Sequence, residues 1–176
     1  MKTLNLKPLF EKQQELRDRI NYQGADRFEK LVLALLVEIG ECANEWRGFK
    51  FWSTDQEPRT FAKTTNDPNG GFTIKNPLLE EYVDGLHFVL ELGLEHEFDP
   101  DGLAIEELKF SSITRQFTAL FQVDWDVYEE GQGGYYHEGL ELYIGLGEML
   151  GFTWKQVEAA YMEKNAVNHK RQEDGY

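Results

Sequence analysis

The sequence predicts an all-α fold, and three observations carry that expectation. Apolar residues recur at spacings of three and four over most of the chain, the period of a helix with one buried face. Only residues 48–77 and 129–134 break the pattern, through Pro58, Asn66-Asp67-Pro68-Asn69-Gly70-Gly71 and Pro77 in the first and Gly131-Gln132-Gly133-Gly134 in the second. A helix start is written out at Thr153-Trp154-Lys155-Gln156, where Ser/Thr followed three residues later by Glu/Gln forms a capping box.

Taken in order, segment 9–21 carries Leu9, Phe10, Leu16 and Ile20, with Gln13 among them. Segment 26–47 carries Phe28, Leu31, Val32, Leu35, Leu36, Ile39, Ala43 and Trp46. Segment 78–97 has its stripe in Leu79, Val83, Leu86 and Leu90. Further helices are expected at 102–110, 112–128, 135–150 and 153–170. A connection as long as 48–77 is expected to be a functional lid or partly disordered, and 129–134 a flexible turn. Neither ends in the Lys-Ser/Thr of a phosphate-cradling loop.

At 176 residues the chain is most simply one domain, 1–176, with room for a core. With 12 Phe, 8 Tyr and 4 Trp, disorder throughout is excluded as a reading. Lys and Arg number 18 against 32 Asp and Glu, a net charge of −14, which argues against a nucleic-acid surface and against an anionic membrane. A phosphorylated small molecule remains compatible, because a bound cation inverts the local charge. One cysteine, Cys42, allows no intrachain disulfide. The opening residues lack an apolar signal region, and no run reaches the ~18 apolar residues of a membrane span. The expected location is the cytoplasm.

Two acidic doublets carry the chemistry: Glu38-Ile39-Gly40-Glu41 and Glu81-Tyr82-Val83-Asp84, each inside an apolar helix. Residues three apart on a helix are neighbours, roughly 5–6 Å between Cβ atoms. Two facing doublets therefore make a four-carboxylate site for a hard cation. On the first helix, Phe28, Val32, Leu35, Ile39 and Trp46 cover one face, and Leu33, Val37 and Gly40 lie nearly opposite. The stripe Glu38, Glu41 and Glu45 lies between them, so burial on most sides is expected, with the acids in a crevice. A lone Glu-x-x-Glu is usually a solvated face. Two, each in apolar helix and separated by one long loop, make a binding site the stronger reading, since buried carboxylates need neutralising.

A ferritin-like di-iron site needs Glu-x-x-His from each of two helices. Asp84 with His87 has the spacing but Asp in place of Glu, and there is no second copy. All-oxygen ligation favours magnesium, with manganese also fitting, over iron or zinc. Phe88, one turn beyond Asp84, is placed to stack on a base. At the other end of the chain, Tyr161, Lys164, Asn168 and Arg171 share one helix face. Cations there complement the helix dipole. Beside four carboxylates they gain a second reading, in which Lys164 and Arg171 grip phosphate and Asn168 reads a hydroxyl or base edge.

With those residues in view, the chain resembles the all-α nucleoside triphosphate pyrophosphatases of the MazG-like superfamily, and within it the dimeric dUTPases of some bacteria, phages and trypanosomatids. The resemblance rests on the two doublets, on Leu9–Leu16, on Glu45-Trp46-Arg47-Gly48-Phe49-Lys50-Phe51-Trp52, on Asp84-Gly85-Leu86-His87-Phe88 and on Lys164–Tyr176; residues 100–150 carry none of it. It implies a helical bundle built around a four-helix core, with a long loop between the two metal-binding helices, and a homodimer. It implies hydrolysis of dUTP, and of dUDP, to dUMP with magnesium.

Carried over by position, Glu38, Glu41, Glu81 and Asp84 would hold metal, and Glu38, beside Glu41, would orient or deprotonate the attacking water. Lys164, Arg171 and Lys50 would meet phosphate, while Gln13, Trp52, Phe88 and Asn168 would enclose deoxyuridine. The chain departs from the family pattern at Arg17, where Asp is common, and at Phe51-Trp52, where relatives carry two tryptophans. The other readings are a pyrophosphatase for a different nucleotide such as dCTP, and a helical interaction module binding a phage-type repressor.

Overall fold

A computed structural model describes residues 4–64, 71–101, 105–126 and 134–175. Among the described residues there are six helices and one two-stranded hairpin. In chain order these are α1 (Lys7–Ile20), α2 (Arg27–Trp46), β1 (Ala62–Thr64), β2 (Thr73–Lys75), α3 (Pro77–Glu95), α4 (Ile113–Gln122), α5 (Gly134–Met149) and α6 (Trp154–Glu173). The fold is all-α, as the periodicity predicts. No helix of the described residues is long and apolar enough to cross a membrane.

Local chemistry sets the helix ends. α2 stops at Arg47, which takes φ 65° and returns its N–H to the Ala43 carbonyl at 3.0 Å. α3 starts with Pro77 in its first turn behind Asn76, whose side chain accepts from the Leu79 N–H at 3.1 Å. The expected capping box opens α6: Thr153 Oγ1 accepts from the Gln156 N–H at 3.3 Å, and Gln156 Oε1 accepts from the Thr153 N–H at 2.9 Å.

α3 is the central element. It packs against α1, α2, α5 and α6, which explains why Tyr82, Val83, Leu86, Val89, Leu90 and Leu92 are all buried, well beyond one stripe. α1 and α6 also pack on each other, and α4 with α5 closes the remaining side. One continuous apolar core runs from Leu4 to Tyr161. The α3–α5 contact is locked by two tyrosines: Tyr82 Oη donates to the Tyr143 carbonyl at 3.1 Å, and Tyr143 Oη donates to the Tyr82 carbonyl at 2.7 Å.

Three sequence expectations are corrected. Residues 105–110 of the expected helix 102–110 are not helical. Their backbone turns to α5 and α4 instead: Leu108 N–H donates to the Glu141 carbonyl at 3.3 Å, and Phe110 N–H donates to Gln116 Oε1 at 2.7 Å. Gly145 makes room, since a Cβ there would lie 1.9 Å from the Leu108 carbonyl oxygen. α4 ends at Gln122 rather than 128, because Val123 turns extended and Trp125 folds under into the core.

The second apolar patch of α2 is not buried as a whole: Leu33 is 64% and Val37 48% exposed, and a Cβ at Gly40 would touch the edge of Phe121 at 3.8 Å. Described residues of the 48–77 connection are hydrogen-bonded to α2 and α3. Arg47 Nη2 donates to the Asp55 carbonyl at 2.7 Å, and Arg59 bridges the Glu45 carbonyl to the Leu78 N–H. β1 and β2 pair antiparallel, Lys63 opposite Ile74. Residues 65–70 of that connection, and nearly all of the turn expected at 129–134, lie outside the described residues.

Candidate active site

The carboxylates of Glu38, Glu41 and Glu81 each place an oxygen within 4.8 Å of the others. Helical spacing brings Glu38 beside Glu41 on α2. Gly85, one turn along α3 from Glu81, packs closely on α5: a Cβ there would lie 2.1 Å from Tyr143 Oη and would touch the Glu38 Cβ at 3.4 Å. Glu41 is exposed, and Glu38 and Glu81 are half-buried. Glu45, the next acid along the stripe, is instead paired with Arg59 at 3.1 Å.

Three like charges at the edge of a core are unfavourable, and the acidities record it. Burial, then the charges of Asp84 and Glu41, pushes the Glu38 carboxyl up to about 7. Burial, then Asp84, Glu41 and Glu38, does the same to Glu81, also to about 7. Glu38 Oε2 is buried with no hydrogen-bond partner. An all-oxygen donor set with an unmet buried acceptor fits a hard divalent cation.

Asp84 stands apart from that trio. Its Oδ2 accepts from Lys164 Nζ at 2.5 Å, and Lys164 also lies 3.8 Å from Glu80. Burial raises the Asp84 carboxyl while the Lys164 contact opposes the shift. Its charge is nevertheless felt by both Glu38 and Glu81. The expected four-carboxylate set is thus a cluster of three, with the fourth member held by a lysine of α6.

A cavity of about 270 Å³ lies among α1, α2, α3 and α6. Gln13, Phe88, Asn168 and Arg171, which the resemblance assigned to substrate, all line it. Leu16, Ile20 and Leu31 give it apolar walls. Lys50 and Trp52 are not part of this lining. Lys50 Nζ lies 5.6 Å from the centre of the Phe49 ring, and Trp52, 66% exposed, meets Phe49 and Phe51 edge-on.

Among the cavity residues that sequence reasoning missed are His87, Glu91, Arg17 and Arg27. His87 was weighed only as an iron ligand, and Glu91, Arg17 and Arg27 carried no motif. Arg27 pairs with Glu91 and, at 2.9 Å, with Glu95, and Arg17 meets Glu95 at 2.6 Å. The departure at Arg17 is thereby explained: it belongs to an ion-pair group with two α3 carboxylates. Glu91 and Glu95, like charges four residues apart on an apolar helix, need cations from elsewhere, and that was the readable signal.

A family model described as dUTPase matches residues 5–67 and 69–176, nearly the whole chain. This chain belongs to the dUTPase family. As a dUTPase it is a hydrolase of nucleotide metabolism, a dUTP diphosphatase whose substrate is a nucleotide. Members of this all-α dUTPase family depend in general on divalent metal, in keeping with the carboxylate cluster. No curated protein matches the dUTPase sequence.

Proposed function

We propose that this dUTPase cleaves dUTP, and dUDP as well, to dUMP, releasing pyrophosphate from the triphosphate, with magnesium as the working ion and manganese able to replace it. The observation that carries the reading is the meeting of Glu38, Glu41 and Glu81 within 4.8 Å, with Glu38 Oε2 lacking any partner.

Glu38, Glu41 and Glu81 would hold the ion, with Asp84 joining them as Lys164 is drawn away. When bound, the ion neutralises the phosphate chain and polarises its oxygens. The protein does the rest. Glu38, half-buried and unpartnered, orients the attacking water, with Glu41 beside it. Lys164 sits on Asp84 at the border of the cluster, within reach of incoming phosphate, and Arg171 lines the adjoining cavity. Both supply charge where phosphate oxygens gain it. Gln13, Phe88 and Asn168 would seat deoxyuridine, with Phe88 as the stacking surface.

Lys50 and Trp52 fit this scheme as groups that reach nucleotide only after the 48–77 connection moves or a second protomer docks. The exposed Leu33, Val37 and Phe121 on one side support a homodimer. The 176 residues act as one domain in the cytoplasm.

The test is pyrophosphate and phosphate release from dUTP, dCTP, dTTP and dATP, with magnesium and with EDTA, for wild type and Glu41→Gln. Magnesium-dependent cleavage of dUTP, lost in the variant, is expected. Preference for another nucleotide would leave the carboxylate site standing and overturn the uracil assignment. No cleavage would favour an interaction module.

A further inference from the structure

Four side chains form a directed chain of hydrogen bonds behind the cavity. Glu91 is buried and faces the Arg27 guanidinium, so its carboxylate accepts only. Gln13 lies 2.8 Å from Glu91 Oε2, and the group turned to that oxygen must therefore be the amide nitrogen, Nε2. That leaves Gln13 Oε1 as an acceptor on the opposite side. It accepts from Tyr161 Oη at 2.9 Å and lies 2.9 Å from His87 Nδ1. An amide oxygen cannot donate, so His87 carries its proton on Nδ1.

The other ring nitrogen follows by elimination. His87 is 6% exposed and its ring stacks on Tyr161 with centres 4.2 Å apart. Burial, with a smaller push from Lys164, holds its pKa down to about 3, so the ring is neutral. Nε2 is then a bare acceptor. It is buried, has no hydrogen-bond partner, and belongs to a residue that lines the cavity. A buried acceptor without a donor is costly, and a ligand N–H would recover that cost.

We propose that His87 is a specificity-determining residue of the cavity: its Nε2 accepts the ring imide N–H of the base, which uracil carries at N3 and cytosine lacks. The inference rests on the dUTP reading above and names the group that enforces it. Neutral cytosine presents a lone pair at N3, so two acceptors would face each other and both would stay unpaired. Arg17 Nη1, also buried, unpartnered and on a residue lining the cavity, supplies a donor suited to a ring carbonyl. His87 separates uracil from cytosine but not uracil from thymine, which carries the same imide.

The test measures kcat/KM for dUTP, dCTP and N3-methyl-dUTP on wild type, His87→Phe and His87→Ala, each checked for folding by circular dichroism. Wild type should prefer dUTP strongly over both other substrates. In both variants the dUTP value should fall about 10- to 100-fold, and the dUTP-to-dCTP ratio should collapse. In His87→Ala, with space as well as loss of the acceptor, dUTP and N3-methyl-dUTP should become nearly equal. A purely structural role would lower all three substrates together and leave the ratios as in wild type, which overturns the proposal. Should a variant fail to fold, N3-methyl-dUTP cleaved by wild type as well as dUTP overturns it without any substitution. A wild-type enzyme preferring dCTP would instead remove the dUTP reading itself, a result visible before any variant is made.

Discussion

Lys164 Nζ donates to Asp84 Oδ2 at 2.5 Å, with each side chain less than a fifth exposed. This contact ties α6 to α3 beside the carboxylate cluster and keeps one acid charge from adding fully to the other three. The same lysine is the group proposed to meet phosphate, so it has one partner in the free protein and another in the complex.

Replacing Lys164 with Met should separate these roles. Asp84 loses its partner, and the metal-free protein should lose about 1–3 kcal/mol in urea unfolding. Magnesium binding, followed by calorimetry, should not weaken, because the cluster becomes more negative. kcat/KM for dUTP should fall at least tenfold, to about the extent of a lost charge-assisted contact. Weakened magnesium binding in this variant would place Lys164 in support of the metal site rather than the substrate.

Glu38 and Glu81 make the metal-free protein sensitive to pH. Both titrate near 7 in the fold, raised from the ordinary 4.5. Between those values the folded chain binds more protons than the unfolded one, so stability falls as pH rises. Their contribution is fully present below about pH 4.5 and lost through about pH 7. In EDTA the Tm should be lower at about pH 8 than at about pH 5. Magnesium should raise the Tm more at the higher pH, where the carboxylates are already deprotonated. An unchanged slope in Glu38→Gln/Glu81→Gln would show that other groups cause it.

Glu81→Gln should trade function for stability. Removing one of three crowded charges should raise the metal-free Tm at about pH 8, while magnesium affinity and dUTP cleavage drop by two orders of magnitude or so. A variant that loses stability and keeps activity would take Glu81 out of the site.

Gly85→Ala probes the spacing of the cluster. The new methyl would meet Tyr143 Oη at 2.1 Å and the Glu38 Cβ at 3.4 Å. Tyr143 cannot retreat without giving up its 2.7 Å bond to the Tyr82 carbonyl. Overpacking should cost about 1–3 kcal/mol, more than the helix preference of Ala, about 1 kcal/mol, returns. Chemical denaturation gives the first figure and magnesium titration shows whether Glu38 has moved. Higher stability in the variant would refute the notch.

Trp52, two-thirds exposed, should tolerate Ala within about 0.5 kcal/mol in thermal unfolding. If it closes on nucleotide, kcat/KM should nevertheless fall, and wild-type tryptophan emission should shift to the blue on adding dUMP. Equal kinetics in Trp52→Ala would leave it outside the site.

Much of this was legible in the chain. Spacings of three and four located α1, α2, α3, α5 and α6 within a few residues, and Thr153 with Gln156 marked a helix start that the structure keeps. Where it failed, at 105–110, Ile105 and Leu108 have helical spacing, but Glu141 of α5 and Gln116 of α4 hydrogen-bond the Leu108 backbone instead. Leu33 and Val37 misled for a related reason: their apolar character says that something should cover them, not that this chain supplies it.

By itself the sequence determined the all-α class, the two acidic doublets, the basic stripe of α6 and the family, because each depends on residues a few positions apart or on their order along the chain. Tertiary structure alone decided that Glu38, Glu41 and Glu81 meet while Asp84 turns to Lys164, and that Gln13 stands between Glu91 and His87. Periodicity says which face of a helix a side chain occupies. It does not say what lies across that face, and the choice among partners there is made by packing: a glycine that admits a close approach, or a buried carboxylate that can only accept and so sets every proton behind it.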